Sequence, residues 1–518
     1  MASTASLRDH LLNDLQGIPG TREFHLHVLV SSPRKFQGLF PFAQPRPRSY
    51  LQDILVLLSE QSSPDSPRIL TTAIEASVYN IPATSCAIFY VSKVDTTGQS
   101  TSPSPAASLV RSLLVYYADP ATRPVSADHL WIHLFARAQS QYLFPNSADY
   151  AGKRPLSDVK LCTWWKRVLT EVADGVNPRG TCESLIKLYY MLPGYSQLEA
   201  EQSLRRATAA SSDATGTSWT YGHPYSQTEI PLPCPAPSPE HNLGHFIPTF
   251  EDDPKSRFMD EIGCTPDAEG IRSPPRKRLR TLAHGNAADV PREAAAEKER
   301  QGGKEQRILG ELGKVSADEF WERMSFRQEC VAGAITGFFT VGISRRSPQS
   351  APGISPLAPL PGQVSCQLNK RVLSSLMTGL EFSTVERSIK ATETLEGSIR
   401  GLCEGMTPIP TPRPAAQTRD SDRRTPEPEL SRGLLAPPST PPRRGDAYVA
   451  DVSPNPFPEP VTSLETYHSH IYGTVCVSNT ALPPKVQTGA EAAAGASTGG
   501  PGPNVTVLAV RKKKKRVE

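Results

Sequence analysis

Two stretches that cannot supply a hydrophobic core limit what this chain can fold into. From Thr407 to Pro460 roughly a quarter of the residues are proline, a density expected of a disordered linker. Residues 266–314 form a polar, charged insertion, also expected to be disordered. What remains is a body made of residues 1–265 and 315–405. A possible docking segment lies at 461–480, and a terminal strand with a basic tail at 503–518. Hydrophobic residues are 38% of the 518, below the roughly 45–50% of ordinary globular chains. The proline-rich and polar stretches account for that deficit.

Several classes fall away early. The nine cysteines are scattered, with no C-x-x-C pair, which argues against a disulfide framework and against a zinc site. The opening residues MASTASLRDHLL lack the apolar region of a signal peptide. No apolar run approaches the ~18 residues of a membrane span. A soluble, intracellular protein without membrane contact is expected. The net charge of +4 implies no whole-protein field for nucleic acid, so only local basic clusters matter.

The body reads as α+β, because strands and helices mix without strict alternation. Ser6 can cap a first helix carrying Leu7, Leu11, Leu12 and Leu15 on one face. Strands are expected at Phe24–Val30, Ile69–Ile81, Thr84–Lys93 and Leu130–Arg137, and helices at Ser108–Tyr117 and Ser157–Ala173. A helical reading continues over Leu185–Leu192. Residues 208–248 look irregular. Asp253-Pro254 starts another helix, since Asp caps well and Pro suits the first helical position. A helix at Ala317–Ala332, a strand at Ile335–Ile343, and helices at Leu368–Leu380 and Ser383–Cys403 follow. Asn504–Val510 is a strand candidate.

Two basic clusters stand out, PPRKRLR (Pro274–Arg280) and RKKKKR (Arg511–Arg516). They suit nuclear import or an acidic partner, or are solvated charge runs. Neither is interleaved with aromatics, so direct DNA binding is not expected to be primary.

No nucleotide or hydrolase signature is present: no G-x-x-x-x-G-K-[ST], no G-x-S-x-G, no H-E-x-x-H. Four segments remain. FEDDPKSRF (Phe250–Phe258) puts three acids before a proline and two cations after it. A capped helix start explains it, and so does a carboxylate at the mouth of a cleft serving a lysine amine. Trp164 and Trp165 point about 100° apart on a helix, giving a broad buried face or a ligand tunnel. ARAQSQYLFPNS (Ala136–Ser147) leaves a strand with Gln139, Tyr142 and Phe144 in a loop. YVSKVDTTG (Tyr90–Gly98) ends in a turn signal.

In this order, SKVDTTG, LFARAQSQYLFPNS, SDVKLCTWW and FEDDPKSRF closely resemble the fungal histone acetyltransferases known as regulators of Ty1 transposition, which modify lysine 56 of histone H3. The resemblance reaches ADEFWERMSFRQE (Ala317–Glu329) and VLAVRKKKKR, and is weak or absent in the insertion and the linker. It implies a central mixed sheet surrounded by helices, similar to the CBP-type acetyltransferase fold, and acetyl-CoA as cofactor. It implies a nuclear enzyme of chromatin assembly and the DNA-damage response, acting on a lysine of H3, with histone H3–H4 and histone chaperones as partners. The rival is a non-catalytic chromatin adaptor.

Carried over by position, the resemblance gives Val94, Asp95 and Thr96 as cofactor contacts. The next cofactor segment falls on Pro103, Ser104, Pro105, Ala106 and Ala107, where PSPAA replaces the family's usual basic run. Phe135, Gln139, Arg154, Pro155, Leu156 and Trp164 are further cofactor contacts, Gln139 replacing a smaller residue. Trp165 and Tyr142 flank the lysine tunnel. Asp252 and Asp253 match the acidic pair, with Asp253 the catalytic candidate, and Lys255 matches a lysine acetylated in the enzyme itself. No metal is implied.

A lysine amine has a free pKa of about 10.4, so its deprotonation at pH 7 costs about 4–5 kcal/mol. Asp253 could accept that proton, or the pair could orient the cationic lysine. A helix N-terminus lowers a carboxylate pKa, whereas burial against Trp165 and the charge of Asp252 raise it. The sequence leaves these opposed.

Overall fold

The structure is a computed structural model that describes residues 6–176, 184–207, 218–235, 241–264, 310–327, 330, 334–346, 355–404 and 457–480. Both basic clusters, the Asn504–Val510 segment, nearly all of the insertion and most of the linker lie outside the described residues.

A mixed sheet of ten strands organises these residues. The strands are β1 (Gly20–Val30), β2 (Arg34–Phe36), β3 (Ser49–Gln61), β4 (Ile69–Ile81), β5 (Cys86–Thr96), β6 (His129–Ala136), β7 (Ser184–Met191), β8 (Trp219–Tyr221), β9 (Gly337–Arg345) and β10 (Tyr472–Asn479). Their order is β10-β1-β3-β4-β5-β6-β9-β7-β8, with β2 paired to β3. Pairing is antiparallel except for β5–β6 and β7–β8. The last strand therefore closes beside the first, Gly20 opposite Asn479.

Alternation along the strands builds two cores. Phe24, Leu26 and Val28 face one side together with Ile54, Val56, Ile74, Val78, Phe89 and Ile132. That side is covered by α1 (Leu7–Leu15), α2 (Ala106–Ala118), α3 (Asp158–Val176) and α4 (Gln197–Ala207). On the other side Leu29, Leu55, Leu57 and Leu70 pack on α7 (Cys366–Thr378) and α8 (Val385–Glu404). Farther along that side Tyr79, Ile88, Tyr90 and Trp131 meet Phe250 and the loop around Phe40. Beyond them α5 (Pro254–Cys264) and α6 (Ala317–Met324) share a cluster with Phe338.

The local signals act as expected at several ends. Ser6 Oγ accepts the Asp9 amide at 3.2 Å, and Asp253 Oδ1 accepts the Lys255 amide at 2.8 Å at the start of α5. Two expectations need correction, and one strand had no signal. Leu185–Leu192 is not helical: it forms β7, paired on both sides. Leu188 and Tyr189 are buried on opposite faces, so its apolar run came from two-sided burial, which periodicity cannot tell from a helix. Ser49–Gln61 drew no expectation, yet β3 is among the longest strands. Its LVLL run is buried on both faces, as in a central strand. The helix from Ala317 ends at Met324, not at Ala332.

Candidate active site

A cleft of about 380 Å³ opens where β5 and β6, parallel neighbours, run out toward α3. Its walls are Val91 to Thr96, Leu134 to Gln139, Tyr142, Lys153 to Leu156 and the Leu161, Trp164 and Trp165 face of α3, with Ser104 and Ala106 from the start of α2. It brings together five runs of the chain, 91–96, 104–106, 134–142, 153–156 and 161–165. Among the expected site residues, Val94, Asp95, Thr96, Ser104, Ala106, Phe135, Gln139, Tyr142, Arg154, Pro155, Leu156, Trp164 and Trp165 all line it. Pro103, Pro105 and Ala107 do not; Pro103 and Pro105 lead into α2, Ala107 lies in its first turn, and Pro105 is buried.

Asp95 holds the loop that forms one wall. Its Oδ2 accepts three successive amides, those of Tyr142, Leu143 and Phe144, at 2.7, 2.8 and 3.1 Å. Its Oδ1 accepts the Lys153 ammonium at 2.9 Å and the Thr96 amide at 2.8 Å. A carboxylate so occupied is a scaffold, with little acceptor capacity left. Beside it, Gly98 has φ +79°, and a Cβ there would fall 2.5 Å from the Lys153 Cα. The turn after β5 therefore needs glycine to let the 153–156 wall approach.

The two tryptophans, adjacent on α3, both line the cleft but differ in burial. Their rings meet edge to face at 4.7 Å. Trp165 is buried among the helix-side core and Trp164 is half-buried. The Tyr142 hydroxyl donates to the Arg137 carbonyl, and burial pushes its pKa up to about 12. It stays a neutral donor at physiological pH.

The acidic pair is split by the fold. Asp252 is half-exposed and accepts the Lys93 ammonium at 2.6 Å and the Ser92 hydroxyl at 3.1 Å. Ser92 is the extra residue where the β4–β5 register shifts, between Lys93 opposite Glu75 and Val91 opposite Ala76. A bulge of this kind re-aims side chains. Burial works against the Asp252 charge, but the Lys93 ammonium, the Ser92 hydroxyl and Arg257 outweigh it and lower its pKa. Lys93 also pairs with Glu75 at 2.8 Å. Burial opposes its charge, and the two carboxylates overcome that and raise its pKa.

Asp253 turns inward and is 1% exposed. Its partner is the equally buried Lys255 ammonium, 3.2 Å from Oδ2. Phe250, Phe338 and Trp321 surround that ammonium at 5.6, 5.5 and 6.0 Å. Phe250 in turn stacks on Tyr90 at 4.0 Å. Burial raises the Asp253 pKa in spite of Lys255, the amide bond and Arg257, so of the two opposed effects desolvation wins. The burial is not against Trp165: neither acid lines the cleft. Asp252 reaches it through Lys93, and Asp253 lies one layer behind.

A family model described as the histone acetyltransferase KAT11-type domain matches residues 122–398, slightly more than half the chain.

The chain belongs to the KAT11-type histone acetyltransferase family.

The KAT11-type match starts after β5, so Val94–Thr96 and the 103–107 segment lie outside it. Among similar proteins is a histone acetyltransferase rtt109 of Aspergillus flavus, 29% identical over 299 residues, 54% of this chain and 46% of that one. Another, histone acetyltransferase rtt109 of Schizosaccharomyces pombe, is 24% identical over 263 residues, 49% of this chain and 52% of that one. The chain thus spans about half the length of the curated relatives it matches. The crystal structure of Rtt109 from Aspergillus fumigatus shares the fold, with TM-score 0.56 and 23% identity. It covers 76% of this chain and 96% of that one.

The KAT11-type cleft also contains residues the sequence did not mark: Lys93, Arg137 and Lys153. Arg137 ends a strand and Lys153 sits in a Gly-Lys-Arg-Pro turn. Each is one cation among 56, so nothing in the sequence distinguishes them. Among the described residues no cluster of metal-binding side chains occurs, and no helix is long and apolar enough to cross a membrane.

Proposed function

We propose that this chain transfers the acetyl group of acetyl-CoA to a lysine of histone H3. One observation supports it most: Arg137 and Arg154 line the cleft with no ion-pair partner among the described residues, while Trp164 and Trp165 give it an apolar wall. An anionic, elongated cofactor with a small acyl end matches that polarity. Acetyl-CoA supplies an acetyl group activated as a thioester. The protein's own residues orient it, exclude water and receive the cationic lysine. The half-exposed Asp252, held charged by Lys93, attracts the incoming ammonium. The raised pKa of Asp253 suits a proton acceptor, but its burial means that it acts through Asp252, Lys255 or water.

By resemblance the target is lysine 56 of H3, in the nucleus, in chromatin assembly and the DNA-damage response, with histone chaperones presenting H3–H4. Lys255 is the candidate for self-acetylation. Modification would discharge the partner of Asp253, so charge at one buried site would follow acetylation state. The test is acetylation of chaperone-bound H3–H4 by the purified full chain, with site mapping by mass spectrometry. Transfer to lysine 56 is expected, and no transfer to any H3 lysine would overturn the reading.

A second reading, a non-catalytic chromatin adaptor, draws on PSPAA at 103–107, which lacks the family's usual cations. Calorimetric titration with acetyl-CoA separates the two, since an adaptor needs no cofactor.

A further inference from the structure

Behind the cleft, on the helix side of the sheet, lies a charged pair that no motif announces. Arg22 on β1 and Glu60 on β3 meet at 3.0 Å, with side chains 1% and 5% exposed. All but one of their remaining hydrogen bonds go to one segment, residues 100–103. Arg22 Nη1 donates to the Thr101 carbonyl at 2.6 Å and to the Thr101 hydroxyl. Its Nη2 donates to the Pro103 carbonyl at 2.7 Å and to the Pro19 carbonyl at 3.2 Å. Glu60 Oε2 accepts the Thr101 amide at 3.1 Å and its hydroxyl at 2.9 Å, and Oε1 accepts the Ser100 hydroxyl.

The next residue, Ser104, and then Ala106 line the cleft, and Ala106 opens α2. We propose that Arg22 and Glu60 are positioning residues for the cofactor, holding the 100–103 segment so that Ser104 and the first turn of α2 face the acetyl-CoA cleft. The inference rests on the acetyl-CoA reading above.

Two physical points favour positioning over plain stabilisation. A buried ion pair is commonly no more stable than apolar residues of the same volume, and this one leaves the Arg22 Nε without an acceptor. What the pair supplies is a rigid fork of donors matched to two carbonyls of a loop that has no hydrogen-bonded strand of its own. PSPAA contributes no cation to the cleft. Its binding contribution therefore depends on where its backbone sits, and that is set from behind.

Breaking the pair itself risks unfolding, so the test acts on the loop. Thr101 is exposed, and Thr101→Val removes the hydroxyl shared by Arg22 and Glu60 while leaving the ion pair in place. Thr101→Ser keeps the hydroxyl. The full chain is titrated with coenzyme A by calorimetry and assayed for kcat and KM, and amide hydrogen exchange is followed across 100–108. The expected result is an affinity loss of about fivefold in Thr101→Val, seen in KM for acetyl-CoA with kcat little changed. Faster exchange at 100–108 and recovery in Thr101→Ser should accompany it. Wild-type affinity and exchange in Thr101→Val would overturn the proposal. If the unaltered chain binds no coenzyme A, the function proposed above fails. The exchange comparison then judges the clamp: unchanged protection refutes it, and loosened 100–108 amides restored by serine support the loop-holding role.

Discussion

The Lys93 ammonium lies 2.6 Å from the Asp252 carboxylate, so a lysine on a cleft-lining strand fastens the acidic segment to the cleft. Asp252 has its pKa lowered below the ordinary 3.8. A carboxylate depressed in the folded state adds stability above the unfolded pKa, and that stability is lost as pH falls through the folded value. Asp252→Asn should therefore lower the melting temperature slightly at neutral pH, with the gap closing below about 3.8. Turnover should fall on the order of tenfold, because the segment loses its tether. Melts across a pH series and steady-state rates check both, and a pH-independent gap would count against the assignment.

Asp253 and Lys255 form a buried pair, so removing one charge strands the other. Asp253→Asn is expected to destabilise the fold by roughly 3–5 kcal/mol and to lower turnover strongly while coenzyme A still binds. Combining it with Lys255→Met removes both charges and should recover most of the stability without recovering turnover. Denaturant unfolding beside kinetics separates the two effects; near-normal turnover in the double variant would take Asp253 out of the chemistry.

The proposed self-acetylation at Lys255 would meet a structural barrier. The ammonium is 3% exposed and ion-paired, so the buried lysine should react slowly and only when the α5 region opens. Peptide mass spectrometry after incubation with acetyl-CoA should find acetyl-Lys255 at low occupancy, rising under mild denaturant. A fully unmodified Lys255 under both conditions would refute it.

Asp95 accepts four amides and one ammonium. Asparagine keeps one acceptor and presents a donor where acceptors are needed. Asp95→Asn should cost about 2–4 kcal/mol of stability and weaken coenzyme A binding tenfold or more, because the 137–156 wall loses its anchor. Calorimetry on the folded variant is the check, and unaltered affinity would show the wall to be held otherwise.

His27 on β1 bonds the Tyr467 hydroxyl at 3.0 Å, seating the segment that leads into β10. Burial, opposed by Glu396 and aided by His25 and Arg68, lowers its pKa to about 4. A histidine depressed in the fold binds fewer protons than in the unfolded chain, so stability falls as pH drops from about 6.5 toward 4. The full effect is on the order of 3 kcal/mol. His27→Gln should flatten that acid limb in equilibrium unfolding; an unchanged slope would exclude His27 as its source.

Much of this was readable in one dimension, for local reasons. The helix over Ser157–Ala173, the cap at Asp253 and the turn at Gly98 depend on neighbours within a few residues. β7 resembles a helix in sequence and β3 gives no strand signal, because strands buried on both faces lose the alternation that marks a strand. Thirteen of the expected site residues line the cleft, from the family-ordered segments and the stretches beside them, while Asp252, Asp253 and Lys255 stay outside it. Lys93, Arg137 and Lys153 were invisible because a cation gains meaning from what faces it.

The sequence by itself determined the mixed α+β class, the family and the segments that form the cleft, since composition, periodicity and motif order are properties of the chain. Only the tertiary structure decided that adjacent Asp252 and Asp253 have opposite fates. One is half-exposed and held charged by Lys93. The other is sealed beside Lys255 under Phe250, Phe338 and Trp321, with its pKa raised. Ionisation and reach depend on the local dielectric and on the charges nearby, and residues distant in the chain supply both.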